Sequence, residues 1–297
     1  MLWATPFAAP SGSAPKNFGT AWKSWVLFPP LLFNSVANAK LSGLDTLEYL
    51  VFGTLAMATG VFMAKAVSKM ARADPMTDAS VRQTGYRFNS YICFALALNM
   101  YGQEALALVA LLTGIWVPIS NAIAVADLSY AANTGNKTSV TSILKSIFTN
   151  PLIVSTLAGP AANILYHLTG QQVPNFITKI FSSLGSASMA TALLAIGAGL
   201  AVEDFARYKK LIALSTIQRL IVLPAVALAV AVAAGLTNVQ TAALMCYAVV
   251  PTANSCYIMA ARMGGNGPVV SDLTSVEVLV SLATIPLWCM ALQAFVF

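Results

Sequence analysis

Apolar residues run along this chain in blocks of about twenty, separated by short polar or basic breaks. The longest uncharged run lies between Arg219 and Arg262 and holds 42 residues. As one helix it would extend about 63 Å, twice a hydrocarbon core of about 30 Å. It must therefore fold back, and Gly235-Leu-Thr-Asn-Val-Gln-Thr241 is the polar break available. That places one span near 211–234 and another near 240–261. The same reasoning gives spans at 18–38, 46–70, 83–101, 105–126, 146–167, 183–202 and 276–297, about nine in all. Lys23 and Pro29-Pro30 interrupt the first, and Arg87, Asn89, Ser90 and Asn99 make 83–101 unusually polar.

Inside the long run sits Pro251-Thr-Ala-Asn-Ser-Cys-Tyr257. Proline has no N–H for the helix ladder, and its ring clashes with the carbonyl four residues back. In hydrocarbon the freed backbone groups need partners other than lipid. A helix broken at membrane depth and edged with Thr252, Asn254 and Ser255 exposes main-chain dipoles, as discontinuous helices of secondary transporters do. Asn89-Ser-Tyr-Ile92 in the third span faintly echoes Asn254-Ser-Cys-Tyr-Ile258 in the eighth. Paired polar breaks of this kind point to an inverted repeat with a site between its halves.

Composition then fixes the solvent. Hydrophobic residues make up 58% of the 297 positions and charged residues 9%, against about a quarter charged in soluble domains. So few charges cannot cover a water-facing surface, and an all-α integral membrane protein is expected. The net charge of +6 is no nucleic-acid footprint, because the basic residues cluster between apolar blocks. Lys65, Lys69, Arg72 and Arg82 flank one loop. Lys137 and Lys145 lie in a second, Arg207, Lys209 and Lys210 in a third, and Arg262 in a fourth; Lys16 and Lys23 precede the first span. The alternate loops hold Lys40 and Lys179. The positive-inside rule puts the N-terminus in the cytoplasm of a multi-pass inner-membrane protein. The opening stretch 1–15 holds three prolines and no basic residue, so a cleavable signal peptide is not expected.

The chemistry-bearing residues are few. Cys93, Cys246, Cys256 and Cys289 lie in apolar runs without metal or redox spacing and read as small apolar side chains. His167 stands without a ligand cluster, so no metal and no cofactor are expected. No intramembrane protease or other enzyme motif is present. Asn89, Ser90, Thr252, Asn254 and Ser255 are candidate substrate contacts, with Pro251 setting the break; interhelical packing is the competing role. Arg219, about nine residues into its span, either snorkels to the headgroups or offers a fixed positive charge to an anion. Arg87 reads as snorkelling. Asp127, Glu104 and Glu277 all fall at expected span ends, which gives no support to carboxylate-based ion coupling.

Seven stretches follow one another in a recognisable order: Arg87-Phe-Asn-Ser-Tyr-Ile, Tyr101-Gly-Gln-Glu-Ala-Leu-Ala, Gly114-Ile-Trp-Val-Pro-Ile-Ser-Asn121, Asn150-Pro-Leu-Ile153, Leu193-Leu-Ala-Ile-Gly-Ala-Gly-Leu200, Pro251-Thr-Ala-Asn-Ser255 and Met263-Gly-Gly265. Together, from about Phe28 onward, they resemble the auxin efflux carrier family, in particular its bacterial malonate-type permeases. The resemblance implies two inverted five-helix repeats in which the fourth helix of each is broken and the two cross mid-membrane. By motif those helices are 83–101 and 240–261. Span 18–38 matches the family's second helix, so its first is expected to be missing. Many relatives carry a proline where this chain has Ala95 or Leu96, which implies a less sharp first break.

The resulting expectation is a single transmembrane permease domain over 1–297: a tail at 1–17, an incomplete first repeat at 18–126 and a second at 146–297. A scaffold unit and a transport unit would move a small organic anion, a mono- or dicarboxylate, by alternating access. Half-helix N-termini would face the carboxylate. The bilayer and the anion are the expected partners, with room for a homodimer and no nucleic acid. A non-transporting sensor or remnant, and a sodium-coupled permease of the bile-acid symporter type, remain as alternatives.

Overall fold

The computed structural model describes residues 28–39, 43–132, 151–169, 174–198 and 205–295. Among these the regular structure is helical. In chain order the helices are α1 (Phe28–Ala37), α2 (Gly43–Ala71), α3 (Pro75–Arg82), α4 (Ser90–Leu96), α5 (Gly102–Ala131), α6 (Pro151–Thr169), α7 (Asn175–Ala198), α8 (Phe205–Ile217), α9 (Leu223–Ala233), α10 (Asn238–Val249), α11 (Ser255–Arg262) and α12 (Gly267–Phe295). A 3-10 turn, Gln83–Gly85, extends α3; π-helical turns at Ala97–Tyr101 and Gln218–Val222 extend α4 and join α8 to α9.

Four stretches among the described residues are long and apolar enough to cross a bilayer: Gly43–Ala71, Pro75–Ala131, Phe205–Ala233 and Gly267–Ala294. Their outward side chains agree with that. Leu44, Phe62 and Leu282 are each more than 70% exposed, an arrangement that water penalises and hydrocarbon does not. The chain is thus an all-α membrane protein. The stretch 18–27 and the loop holding Lys137 and Lys145 lie outside the described residues.

Element starts differ from the expected ones wherever charges sit inside a helix. The first broken helix begins at Pro75 rather than at 83. Asp74 caps it, its Oδ1 accepting from the N–H of Met76 (3.2 Å) and Thr77 (3.0 Å), with Pro75 at the first helical position. Arg82, which reads as a loop cation, pairs with Asp78 one turn back and with Asp127 of α5 at 3.1 Å. α8 likewise takes in Arg207, Lys209 and Lys210. α12 begins at Gly267, nine residues before the expected 276. Glu277, expected at a span end, therefore lies ten residues inside a helix.

Two apolar clusters hold the bundle together. The larger joins α1, α2, α5, α9 and α10, with Ala105–Leu112 of α5 buried along every face. The smaller gathers Val81, Leu211, Ile212, Cys256, Ala260 and the first turns of α12. α1 packs on α5, α6 and α7, and α4 packs on α5, α7 and α10. Gly102, at φ +82°, supplies the left-handed backbone that separates the π turn from α5 and lets α4 lie against it.

The π turn before α9 has an identifiable cause. Pro224 cannot donate to the carbonyl four residues back, that of Leu220. Trp288 Nε1 of α12 takes that carbonyl instead, at 2.9 Å. The proline that could have merely kinked a span here opens the helix wide enough to redirect Gln218 and Arg219 inward.

Candidate functional site

Both interrupted helices part their ladders where they meet, and the groups freed beside Asn89 and Pro251 find new partners. In the second, α10 ends at Val249 and α11 starts at Ser255. Pro251 removes the bond to Tyr247, and the extended backbone at Val250 separates the Thr252 N–H from the Ala248 carbonyl. Arg219 donates to both carbonyls, Nη1 to Ala248 at 2.8 Å and Nη2 to Tyr247 at 3.3 Å. Glu277 Oε2 accepts the Thr252 N–H at 2.8 Å. One helical hydrogen bond has thus been divided between a guanidinium and a carboxyl group, both fully buried.

The first break is divided the same way by neutral groups. Asn89 N–H would reach Gly85 in a continuous helix. Instead it donates to the Pro251 carbonyl at 2.9 Å, while Gln218 Nε2 takes the Gly85 carbonyl at 3.1 Å. Trp116 Nε1 takes the Tyr86 carbonyl at 2.9 Å. This break is sharp without any proline, contrary to the expectation drawn from Ala95 and Leu96. Asn89 is the reason: its Oδ1 accepts from Tyr91 (3.2 Å) and Ile92 (3.3 Å) and caps α4.

The Asn89–Pro251 bond joins the two breaks directly. Phe88 and Tyr247 stack across the same junction with ring centroids 3.7 Å apart. Gln83 Nε2 reaches the Cys256 carbonyl at 3.2 Å. The halves cross, α3 meeting α11 and α4 meeting α10.

The expected site residues divide into three groups around this crossing. Asn89, Pro251 and Thr252 are buried in it; the Thr252 hydroxyl lies 3.4 Å from Cys256 Sγ. Asn89 Nδ2 is buried without a partner. Asn254 and Ser255 are exposed and Ser90 half-buried; no side chain caps α11 at Asn254. The α4 end is different, because Asn89 itself occupies it. Arg219 neither snorkels nor faces an open cavity: it is fully buried and supports the second break from behind.

Three residues were missed or misplaced in the sequence. Glu277, read as a span-end carboxylate, holds the second break. Asp272, the other carboxylate on α12, is also fully buried. Arg87, read as snorkelling, is only 7% exposed; Nη1 donates to Gln83 Oε1 at 2.6 Å and Nη2 to Ser255 Oγ at 2.8 Å. Its place two residues before Asn89 in a polar span was the available signal. A separate concavity beside α2 and α3 is lined by Lys65, Lys69, Arg72 and Arg82 with Asp78, and none of its lining comes from the breaks. Among the described residues no cluster of His, Cys, Asp or Glu could hold a metal.

No curated protein matches the chain. A family model described as membrane transport protein matches residues 120–289, which include the second break, Arg219 and Glu277 but not Arg87 or Asn89. With more than half its length matched, and with apolar helices built to span a bilayer, the chain belongs to the membrane transport protein family, that of the auxin efflux carriers, and is a multi-pass permease.

Proposed function

We propose that this permease moves a small organic anion, a mono- or dicarboxylate, across the cytoplasmic membrane by alternating access at the crossing. The observation that carries the reading is the Asn89–Pro251 backbone bond, which ties two helix breaks together beside the uncapped N-terminus of α11. The positive end of a helix at membrane depth suits a carboxylate. Asn254 and Ser255 stand at that end on the open side, Ser90 near it, and the orphaned Asn89 Nδ2 is a ready donor. Thr252 and Pro251 shape the break, and Arg219 holds it open from behind by taking the Tyr247 and Ala248 carbonyls.

An inverted repeat is part of the proposal. Helix, long helix, broken helix, long helix is the order of α1, α2, α3/α4, α5 and again of α7, α8–α9, α10/α11, α12. α1, α6 and α7 would form the scaffold, and the crossed helices with α5 and α12 the moving unit. The cytoplasmic N-terminus follows from the basic loops.

Asn254→Ala is the clean test, because this exposed side chain makes no cap bond and its loss should leave the fold intact. Proteoliposomes holding the full chain are loaded with a panel of labelled mono- and dicarboxylates. Exchange of at least one should occur with the parent and fall by tenfold or more, about 1.4 kcal/mol, in the variant. Flux of no carboxylate, or undiminished flux in the variant, would sink the proposal. Replacing sodium with choline in the same assay separates a sodium-coupled carrier from an ion-independent one.

A further inference from the structure

We propose that Arg87 is the residue that holds the substrate's carboxylate, and that the site is built for a single negative charge. The proposal rests on the carrier reading above and names the contact that reading lacks.

Arg87 lies in the first break, two residues from the atom that bonds to Pro251, and is almost wholly buried. Its partners are all neutral: Gln83 Oε1, Ser255 Oγ and, at 3.7 Å, Met259 Sδ. Among the described residues the ion pairs belong to Arg82. Other buried charges near the crossing are accounted for. Arg219 and Glu277 act on one another across the second break, and Asp272 has an interaction of its own. Among the described residues no carboxylate lies within ion-pair distance of Arg87, which sets it apart from Arg82.

Removing an ion from water costs several kcal/mol, and the neutral bonds here return only part of that. A buried cation inside a membrane protein without an anionic partner marks a ligand path. The ligand's chemistry follows from the guanidinium, a planar fork matched to the two oxygens of a carboxylate. Ser255, whose hydroxyl accepts from Nη2, is exposed and opens α11, whose N-terminus no side chain caps. A carboxylate entering there takes over the Nη2 hydrogen from Ser255. It also meets the positive end of α11, and the unpartnered Asn89 Nδ2 belongs to the same crossing. One uncompensated cation answers one negative charge. A second carboxylate would be desolvated with no further unpaired buried cation among the described residues to meet it.

The test is calorimetric titration of the purified full chain in detergent with butyrate, butyramide and succinate. Butyrate should bind at least about tenfold more tightly than either of the others, the scale of a charge-assisted hydrogen bond. Arg87→Gln should bring butyrate and butyramide within about twofold of each other. Arg87→Lys should keep the preference for charge while weakening butyrate binding, because the fork is lost. A merely structural role would lower thermal stability in both variants and leave the butyrate-to-butyramide ratio unmoved. An unmoved ratio in Arg87→Gln overturns this assignment and leaves the carrier reading to the Asn254→Ala flux result. Succinate binding as tightly as butyrate overturns the single-charge site. Should Arg87→Gln fail to accumulate, unchanged butyrate affinity in Arg87→Lys overturns the assignment instead. Absence of butyrate binding by the parent overturns it outright, and absence of carboxylate flux would remove the carrier reading as well.

Discussion

Replacing Arg219 with methionine keeps most of the side-chain volume and removes the guanidinium. Two carbonyls at the end of α10, those of Tyr247 and Ala248, then lose their donors. Glu277, which is fully buried and holds the Thr252 N–H, loses the positive charge that faces it. Breaking a buried charge pair from one side costs roughly 3–5 kcal/mol, mostly through the stranded partner. A snorkelling arginine would cost no more than about 0.5 kcal/mol on truncation, as surface substitutions do. The larger figure corresponds to a fall in melting midpoint of about 6–20 °C, readable from the soluble fraction after graded heating in detergent. Glu277→Gln retains an acceptor for Thr252, and in Arg219→Met/Glu277→Gln the stranded charge is gone. The double variant should be less damaged than the sum of the singles by roughly 0.5–3 kcal/mol. A midpoint shift below about 2 °C for Arg219→Met, or strict additivity in the double, would refute the account of the divided hydrogen bond.

Gly85→Ala would put a Cβ against Gln218 Oε1 and within 2.8 Å of Ala64 Cβ. Overpacking of this kind costs about 1–3 kcal/mol, and the same heating assay should show it; parent-like stability would mean the first break is not fixed through Gln218. Asp74→Ala should cost about 1 kcal/mol by uncapping α3. The Thr77 N–H bond, foremost among its interactions, holds the Asp74 carboxyl below its ordinary 3.8. Its contribution is therefore present above that value and is lost as pH falls through the lower folded one. Midpoints of parent and Asp74→Ala should converge in acid, and a constant gap down to that range would count against the cap.

Much of the architecture is legible from residue type alone. Apolar blocks of about twenty residues, basic alternate loops and Pro251 give the membrane, the helices and the second break. Helix starts were not legible where charge was neutralised within the fold. Arg82 reads as loop until Asp78 and Asp127 are seen around it, and Glu277 reads as a span end until α12 is seen to begin at Gly267. The first break was readable only as polarity in 83–101. Its cause is partly local, the Asn89 cap over Tyr91 and Ile92, and partly long-range, a Gly85 carbonyl drawn to Gln218 with no local sequence signal. Arg87 reads as snorkelling for a related reason: burial of a cation depends on what crosses over it, and Ser255 is 168 positions away.

The fate of the freed backbone groups also limits how this bundle can move. For α10 and α11 to rejoin, Thr252 must leave Glu277 and Ala248 must leave Arg219, which strands two buried charges at once. For α3 and α4 to rejoin, Gly85 must leave Gln218 and Asn89 must leave Pro251. Gln218 and Arg219 are neighbours on a single π turn, held open by Pro224 and Trp288, and each serves a different break. Neither break can close without disturbing the turn that keeps the other open. The crossing therefore resists re-forming continuous helices. On the proposed alternating-access reading, the motion of lowest cost carries both breaks and the Gln218–Val222 turn together as one body.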